Sequence, residues 1–296
     1  MPISSDHVNV SAALVAGLLV VFLPANVFAA DLSDVPGLSA EETFQPQAST
    51  RRNFYVRGDV GIGRTSAGEF SQQELSDNGG SFISAAIDDS MLIGAGFGWQ
   101  INRNFRLDLT GEYRSTAQIK AMDNLRADLV DPDGVLQANT LYQGNLTSYV
   151  GLLNAYYDVF TWRGFTPYVG AGIGIAHNSM SDFTTASSSS FIDAATGAET
   201  IQLTNGTAQS NSQSTLAWAL MAGTSYDISP SAKLDLGYRY INLGSGLATA
   251  TGPIDCLCGT TGSPLELSDL HASEVRIGIR WQLGSPPQDP DYTPLK

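Results

Sequence analysis

The stretch Met91-Leu-Ile-Gly-Ala-Gly-Phe-Gly-Trp-Gln-Ile101 sets the reading of the whole chain. Met91, Ile93, Ala95, Phe97, Trp99 and Ile101 fall on one side of an extended strand, and Gly94, Gly96, Gly98 and Gln100 on the other. A period of two is the mark of a strand, and one apolar face means that one side is shielded from water. Asn102-Arg103-Asn104 is a tight turn. The next stretch, Phe105 to Arg114, opposes Phe105, Leu107, Leu109 and Tyr113 to Arg106, Asp108, Thr110, Glu112 and Arg114.

The same alternation recurs before and after this hairpin. Further strands are expected at Phe54–Arg64, Leu146–Phe160, Thr166–His177, Leu216–Ile228, Lys233–Ile241 and His271–Leu283, eight in all. Short turns near 102–104, 161–165 and 229–231 alternate with long polar connections at 65–90, 115–145, 178–213 and 242–270. This alternation is that of a transmembrane β-barrel, with short turns in the periplasm and long loops outside the cell. A strand of ~10 residues, rising ~3.3 Å each and tilted about 40°, covers roughly the 25 Å of a barrel's apolar band. The expected fold is therefore all-β, an eight-stranded antiparallel transmembrane barrel spanning 53–283.

Sorting the residues by face separates lipid from lumen. The outward aromatics Phe54, Trp99, Phe105, Tyr157, Phe165, Tyr226 and Trp281 gather near the short turns as a girdle at headgroup level. The inward face carries Arg57, Arg106, Arg114, Lys233, Arg239, Arg276 and Arg280 against Asp59, Asp108, Glu112, Asp158, Asp227, Asp235 and Glu274. Charges enclosed in a narrow barrel must pair to be tolerated. These fourteen residues are the expected lumen ion-pair network. An eight-stranded barrel is just wide enough for side chains to fill it, which favours a packed plug over a gated conduit.

Outside the barrel, Ala12 to Leu23 is an apolar run of signal-peptide length, and Val27-Phe-Ala-Ala30 resembles a cleavage site. The n-region departs from the usual pattern in having no Lys or Arg. The expected organisation is a signal peptide over 1–30, a periplasmic linker over 31–52, the barrel over 53–283 and a Pro-rich periplasmic tail over 284–296. Charged residues are only 15 % of the chain, glycines number 30, and the net charge is −14. An acidic chain with no basic patch excludes nucleic acid as a partner. The excess negative charge falls on the loops and termini.

The segments Phe54-Tyr-Val-Arg-Gly-Asp-Val-Gly-Ile-Gly63, Gly94-Ala-Gly-Phe-Gly-Trp-Gln-Ile101, Leu153-Asn-Ala-Tyr-Tyr-Asp158, Thr166-Pro-Tyr-Val-Gly-Ala-Gly-Ile-Gly174 and Lys233-Leu-Asp-Leu-Gly-Tyr-Arg-Tyr240 resemble the OmpA/OmpX-type outer-membrane β-barrel family, its porin-like surface antigens above all. The resemblance covers about 53–283 without the loops. It implies residence in the outer membrane, contact with its lipid and lipopolysaccharide, insertion by the assembly machinery, and a host or surface ligand met through the loops. It implies no single mechanism, because relatives of one architecture differ in role. Such barrels commonly end on an aromatic residue read by that machinery. This chain runs on from Gly284 to Lys296, which moves the signal to Trp281–Leu283 or dispenses with it.

Chemistry-bearing residues are few. His177 and Ser179 share one strand face, as the His/Ser pair of a lipid A-modifying enzyme would. No carboxylate to orient the histidine is evident. Cys256 and Cys258, separated by one residue, suit a loop-local bridge or free thiols better than a metal site. No catalytic residue, metal site or cofactor is expected. The leading function is non-enzymatic: envelope structure and surface display or adhesion. A narrow porin-like channel and a lipid A-modifying enzyme are the alternatives.

Overall fold

The computed structural model describes residues 53–130, 133–251 and 265–283. The proposed signal peptide, the linker, the C-terminal tail and Cys256 and Cys258 lie outside them. Eleven strands and one short helix follow in chain order: β1 (Phe54–Ser66), β2 (Glu69–Ser71), α1 (Gln73–Asp77), β3 (Ser81–Ile87), β4 (Ser90–Gln100), β5 (Phe105–Val130), β6 (Asp133–Asp158), β7 (Phe165–Asp193), β8 (Glu199–Gln209), β9 (Asn211–Ser229), β10 (Ala232–Thr251) and β11 (Leu265–Leu283). Eight of the strands form a ring of antiparallel pairs, β1–β4–β5–β6–β7–β9–β10–β11, with β11 returning to β1 from Phe54↔Leu283 to Ser66↔His271. A closed ring leaves no open edge within the bilayer, as a spanning sheet requires. β2, β3 and β8 pair above it, on the upper parts of β11, β5 and β7.

The outer wall of the ring is apolar along every strand. Ile62, Met91, Leu109, Ile175 and Leu216 each expose more than three-fifths of their surface. A continuous apolar belt of this extent far exceeds what a water-soluble surface carries, so its solvent is acyl chain. Aromatic rings mark both borders of the belt. At the short-turn end Phe54 stacks on Phe97 at 5.3 Å, Phe105 meets Tyr157 at 5.0 Å and Phe165 meets Tyr226 at 4.7 Å. At the other end Tyr113 meets Tyr149 at 5.3 Å, and Trp218 meets Tyr240 at 5.6 Å. Tyr and Trp rings, with an apolar body and a polar handle, favour the headgroup level, so the pairs that contain them mark the two membrane surfaces.

The long connections differ from expectation. Most of 115–145 and 178–213, and both described ends of 242–270, is strand rather than loop, and 65–90 holds β2, α1 and β3. The β5–β6 and β7–β8 hairpins carry the wall beyond the upper girdle, and their turns are short. The reason lies in the change of solvent. On β6 the outward residues are Tyr149, Leu153 and Tyr157 within the belt, whereas above it Gln137, Asn139, Gln143, Asn145 and Thr147 outnumber Val135 and Leu141. A strand facing water outside carries no continuous apolar face, and its polar residues read as loop. On β5 a bulge between Arg114 and Ala117 also shifts the parity, turning Ala117, Ile119, Ala121 and Asp123 inward.

Candidate functional site: the barrel interior

An arc of neighbouring strands, β10, β11, β1, β4 and β5, supplies most of the polar interior, with Asn154, Tyr156 and Asp158 added from β6. Glycines on β1, β4 and β11 leave room for long side chains to lie across the wall. A Cβ at Gly63 would stand 2.8 Å from Glu274 Cγ, and one at Gly94 2.8 Å from Glu112 Cγ. Larger residues there would collide with the network.

The ion pairs are short and interlocked. Arg239 donates from Nη1 and Nη2 to the two oxygens of Glu112 at 2.7 and 2.5 Å, and from Nε to Glu274 at 2.7 Å. Such a bidentate fork is the strongest form of ionic hydrogen bond. Arg276 reaches Glu112 at 2.8 Å and Asp59 at 3.7 Å. Arg114 pairs with Glu274 and also meets Thr65 and Ser90 at 3.3 Å. Arg57 holds Asp59 at 2.6 Å and Asp108 at 2.8 Å. Asp108 further accepts from Asn154 at 2.9 Å and from Tyr55 at 3.3 Å.

Nearer the short turns, Arg280 joins Asp235 at 3.1 Å and Ser225 at 2.8 Å. Arg106 bonds Asp158 through Nε at 3.1 Å, and its guanidinium lies 4.2 Å from the Tyr156 ring and 4.7 Å from the Tyr168 ring. The two terminal nitrogens of Arg106 have no hydrogen-bond partner. The aromatic faces on either side supply a cation–π environment instead.

Twelve of the fourteen charged residues singled out from the sequence thus pair with one another inside the barrel, and the other two, Lys233 and Asp227, form an ion pair with each other at 2.5 Å. That Lys233–Asp227 pair is more than a third exposed, so it sits at the periplasmic end and is not part of the closed network. Sequence reasoning missed Tyr55, Tyr156, Tyr168, Thr65, Ser90 and Ser225 as participants. Parity could have found the first two, since Tyr55 shares a face with Arg57, and Tyr156 one with Asn154 and Asp158.

The rest of the interior is largely apolar, with a few hydrogen-bonded polar groups such as Ser148 and Asn178 among it. Facing the ionic arc stand Val150, Leu152, Ala176, Ala217, Ala219 and Met221. Above it Ile119, Leu146, Met180, Phe183, Ile241, Leu243, Leu267 and Leu270 fill the barrel, most of them fully buried. An interior cavity between Arg57, Tyr156, Tyr168, Asp235 and Arg276 holds about 20 Å³, room for about one water.

On the outer wall, His177 Nδ1 meets Ser214 Oγ on β9 at 2.9 Å, and not Ser179. Among the described residues no cluster of three metal-binding side chains occurs. Asp123, buried above the membrane, accepts from Thr140 N at 2.8 Å and from Tyr142 at 2.7 Å. Burial raises its carboxyl above the ordinary value, against the pull of those two bonds.

The family model for the outer membrane protein beta-barrel domain matches residues 18–281, and the chain belongs to that family. An uncharacterized protein of Brucella abortus is 28 % identical over 297 residues, covering 92 % of this chain and 97 % of the relative. The outer membrane protein PagN of Salmonella typhimurium is 27 % identical over 205 residues, 67 % of this chain and 77 % of the relative. Opacity protein V28 of Neisseria gonorrhoeae is 29 % identical over 167 residues, 54 % and 70 % respectively. Among solved structures, the outer membrane protein OprG of Pseudomonas aeruginosa is 15 % identical with a TM-score of 0.45, covering 78 % of this chain and 96 % of that one. The protein is an integral β-barrel of the cell outer membrane.

Proposed function

We propose that this barrel is a non-enzymatic structural and display protein: a sealed anchor that holds its extracellular hairpins above the membrane for surface contact or adhesion. The observation that carries this reading is the filled interior. Interlocked ion pairs fill the membrane level, and a closely packed, largely apolar core fills the level above, which leaves ions and solutes no open path in this reading. The wall then continues past the upper girdle as ordered hairpins, which present surface rather than line a pore. Relatives named as opacity proteins fit a surface role.

In this reading the apolar belt meets outer-membrane lipid, the upper girdle meets lipopolysaccharide, and the envelope's assembly machinery inserts the chain after removal of a signal peptide over 1–30. Residues 31–52 and 284–296 remain in the periplasm as linker and tail. Conductance in planar bilayers tests the sealed anchor. The purified barrel should give no steps above background; regular ionic steps would convert it into a narrow channel.

A further inference from the structure

Above the membrane the wall splits between its first two ring strands. β1 and β4 run side by side up to the Gly63↔Ser90 pair. Beyond it β2 follows β11, and β3 follows β5. Among the described residues β2 and β3 form no backbone pair with each other, and each pairs on one side only. The two strands meet through side chains instead, with the rings of Phe70 and Phe82 6.1 Å apart. Over that contact lies an open groove of about 970 Å³, lined from Arg64 to Asp89.

We propose that this cleft captures an extended peptide whose side chains alternate apolar and basic, adding it as a strand to the unpaired edge of β3. The inference rests on the surface-display reading and names the kind of partner that surface takes. An unpaired edge is a template for another strand, and proteins that avoid such pairing place Lys or Pro there. The β3 sequence Ser-Phe-Ile-Ser-Ala-Ala-Ile contains neither, and past the irregularity between Phe82 and Ser84 its edge is regular from Ser84 to Ile87. That run offers about four residues, at ~3.3 Å each, to the middle of a bound segment.

The side-chain pattern follows from the two sides of the groove. One side of an added strand would face Phe70, Phe82 and Leu75, which demand apolar groups. The other would face water beside Glu69, Asp88 and Asp89. Arg64 is the one cation in the lining and is already engaged with Asp89 at 3.4 Å. The rim therefore carries excess negative charge, which favours basic side chains and repels acidic ones.

The test uses the full chain in detergent micelles and a fluorescein-labelled probe, Lys-Val-Lys-Val-Lys-Val-Lys, followed by anisotropy at low salt. The expected result is saturable binding, weakened at least tenfold when the same residues are reordered as Lys-Lys-Lys-Lys-Val-Val-Val. Replacing both rim acids, Asp88→Asn with Asp89→Asn, should weaken it about tenfold, with heat-modifiable gel mobility confirming that the variant folds. N-methylation of alternate probe residues in one of its two frames should abolish binding, because only one frame points its amides at β3.

Absence of saturable binding overturns the inference. So does equal binding of the reordered probe, or binding undiminished by methylation in both frames. Display is read separately, by proteinase cleavage of the extracellular hairpins on intact cells. Cleavage without probe binding sinks the strand-capture inference alone, whereas hairpins resistant on cells but cleaved in purified protein sink the display reading.

Discussion

Replacing Arg239 by Met should destabilise the barrel more than any other single interior change, and the geometry sets the size. Arg239 satisfies both oxygens of Glu112 and one of Glu274, and the side chains of all three are almost wholly inaccessible to solvent. Without it Glu112 retains Arg276, Glu274 retains Arg114, and the closed lumen gains one net negative charge. Breaking a buried pair from one side costs ~3–5 kcal/mol, since the abandoned carboxylates cannot turn to water. That is about two to three and a half decades in the unfolding equilibrium. Urea unfolding in lipid vesicles, followed by heat-modifiable mobility and tryptophan fluorescence, would measure it. The double change Arg239→Met with Glu112→Gln restores neutrality and should recover about 1–3 kcal/mol of the loss. A single-variant cost below ~1 kcal/mol, the value of a solvated surface pair, with no recovery in the double variant, would refute the dry ionic plug.

Three further outcomes follow from other levels of the structure. Ile173→Arg places a charge in the middle of the lipid belt and should cost ~2–4 kcal/mol, seen as reduced folding yield in vesicles; an unchanged yield would mean that this face does not meet acyl chains. Gly94→Ala forces a Cβ to within 2.8 Å of Glu112 Cγ and should cost ~1–3 kcal/mol by the same urea assay, the backbone having little room to shift. Asp123 has its carboxyl raised in the folded state, so its contribution to stability is complete at low pH and is lost as pH rises through the folded value. Proteinase resistance of the β5–β6 hairpin should therefore fall between acidic and neutral pH, and Asp123→Asn should flatten that fall.

The parts of this structure that were readable from sequence are those where lipid imposes an apolar face on a period of two. Within the belt, Met91 to Ile101 gave the strand, its outward side and its turn, and parity alone brought Arg57, Asp59, Glu112, Arg239 and Glu274 to one interior. Above the belt the rule reverses: Gln118 and Lys120 face out and Ile119 and Ala121 face in. Nothing local in Ser115–Asn145 announces that reversal. The bulge after Arg114 hides it by moving the inward set from even to odd positions. The network's partners were equally hidden. Which acid meets Arg239 depends on strand register and barrel diameter, and Glu112 is 127 residues away along the chain.

The two halves of the interior solve one problem in different solvents. Within the bilayer the outer wall is already apolar, so inward charges mark the side that lipid must not wet, and a strand slipped by one residue would bury them in hydrocarbon. Their mutual pairing limits the cost of enclosing them and fixes the register across five strands. Above the bilayer the outer wall faces water, and the ordinary rule returns: apolar inside, polar outside. The switch falls near Arg114 on β5 and near His177 on β7, just beyond the Tyr113–Tyr149 pair of the upper girdle. A barrel built to conduct would gain nothing from an apolar core stacked on the same axis as its charges. One built to hold extended hairpins upright needs that core, because hairpins in water require a shielded face to persist.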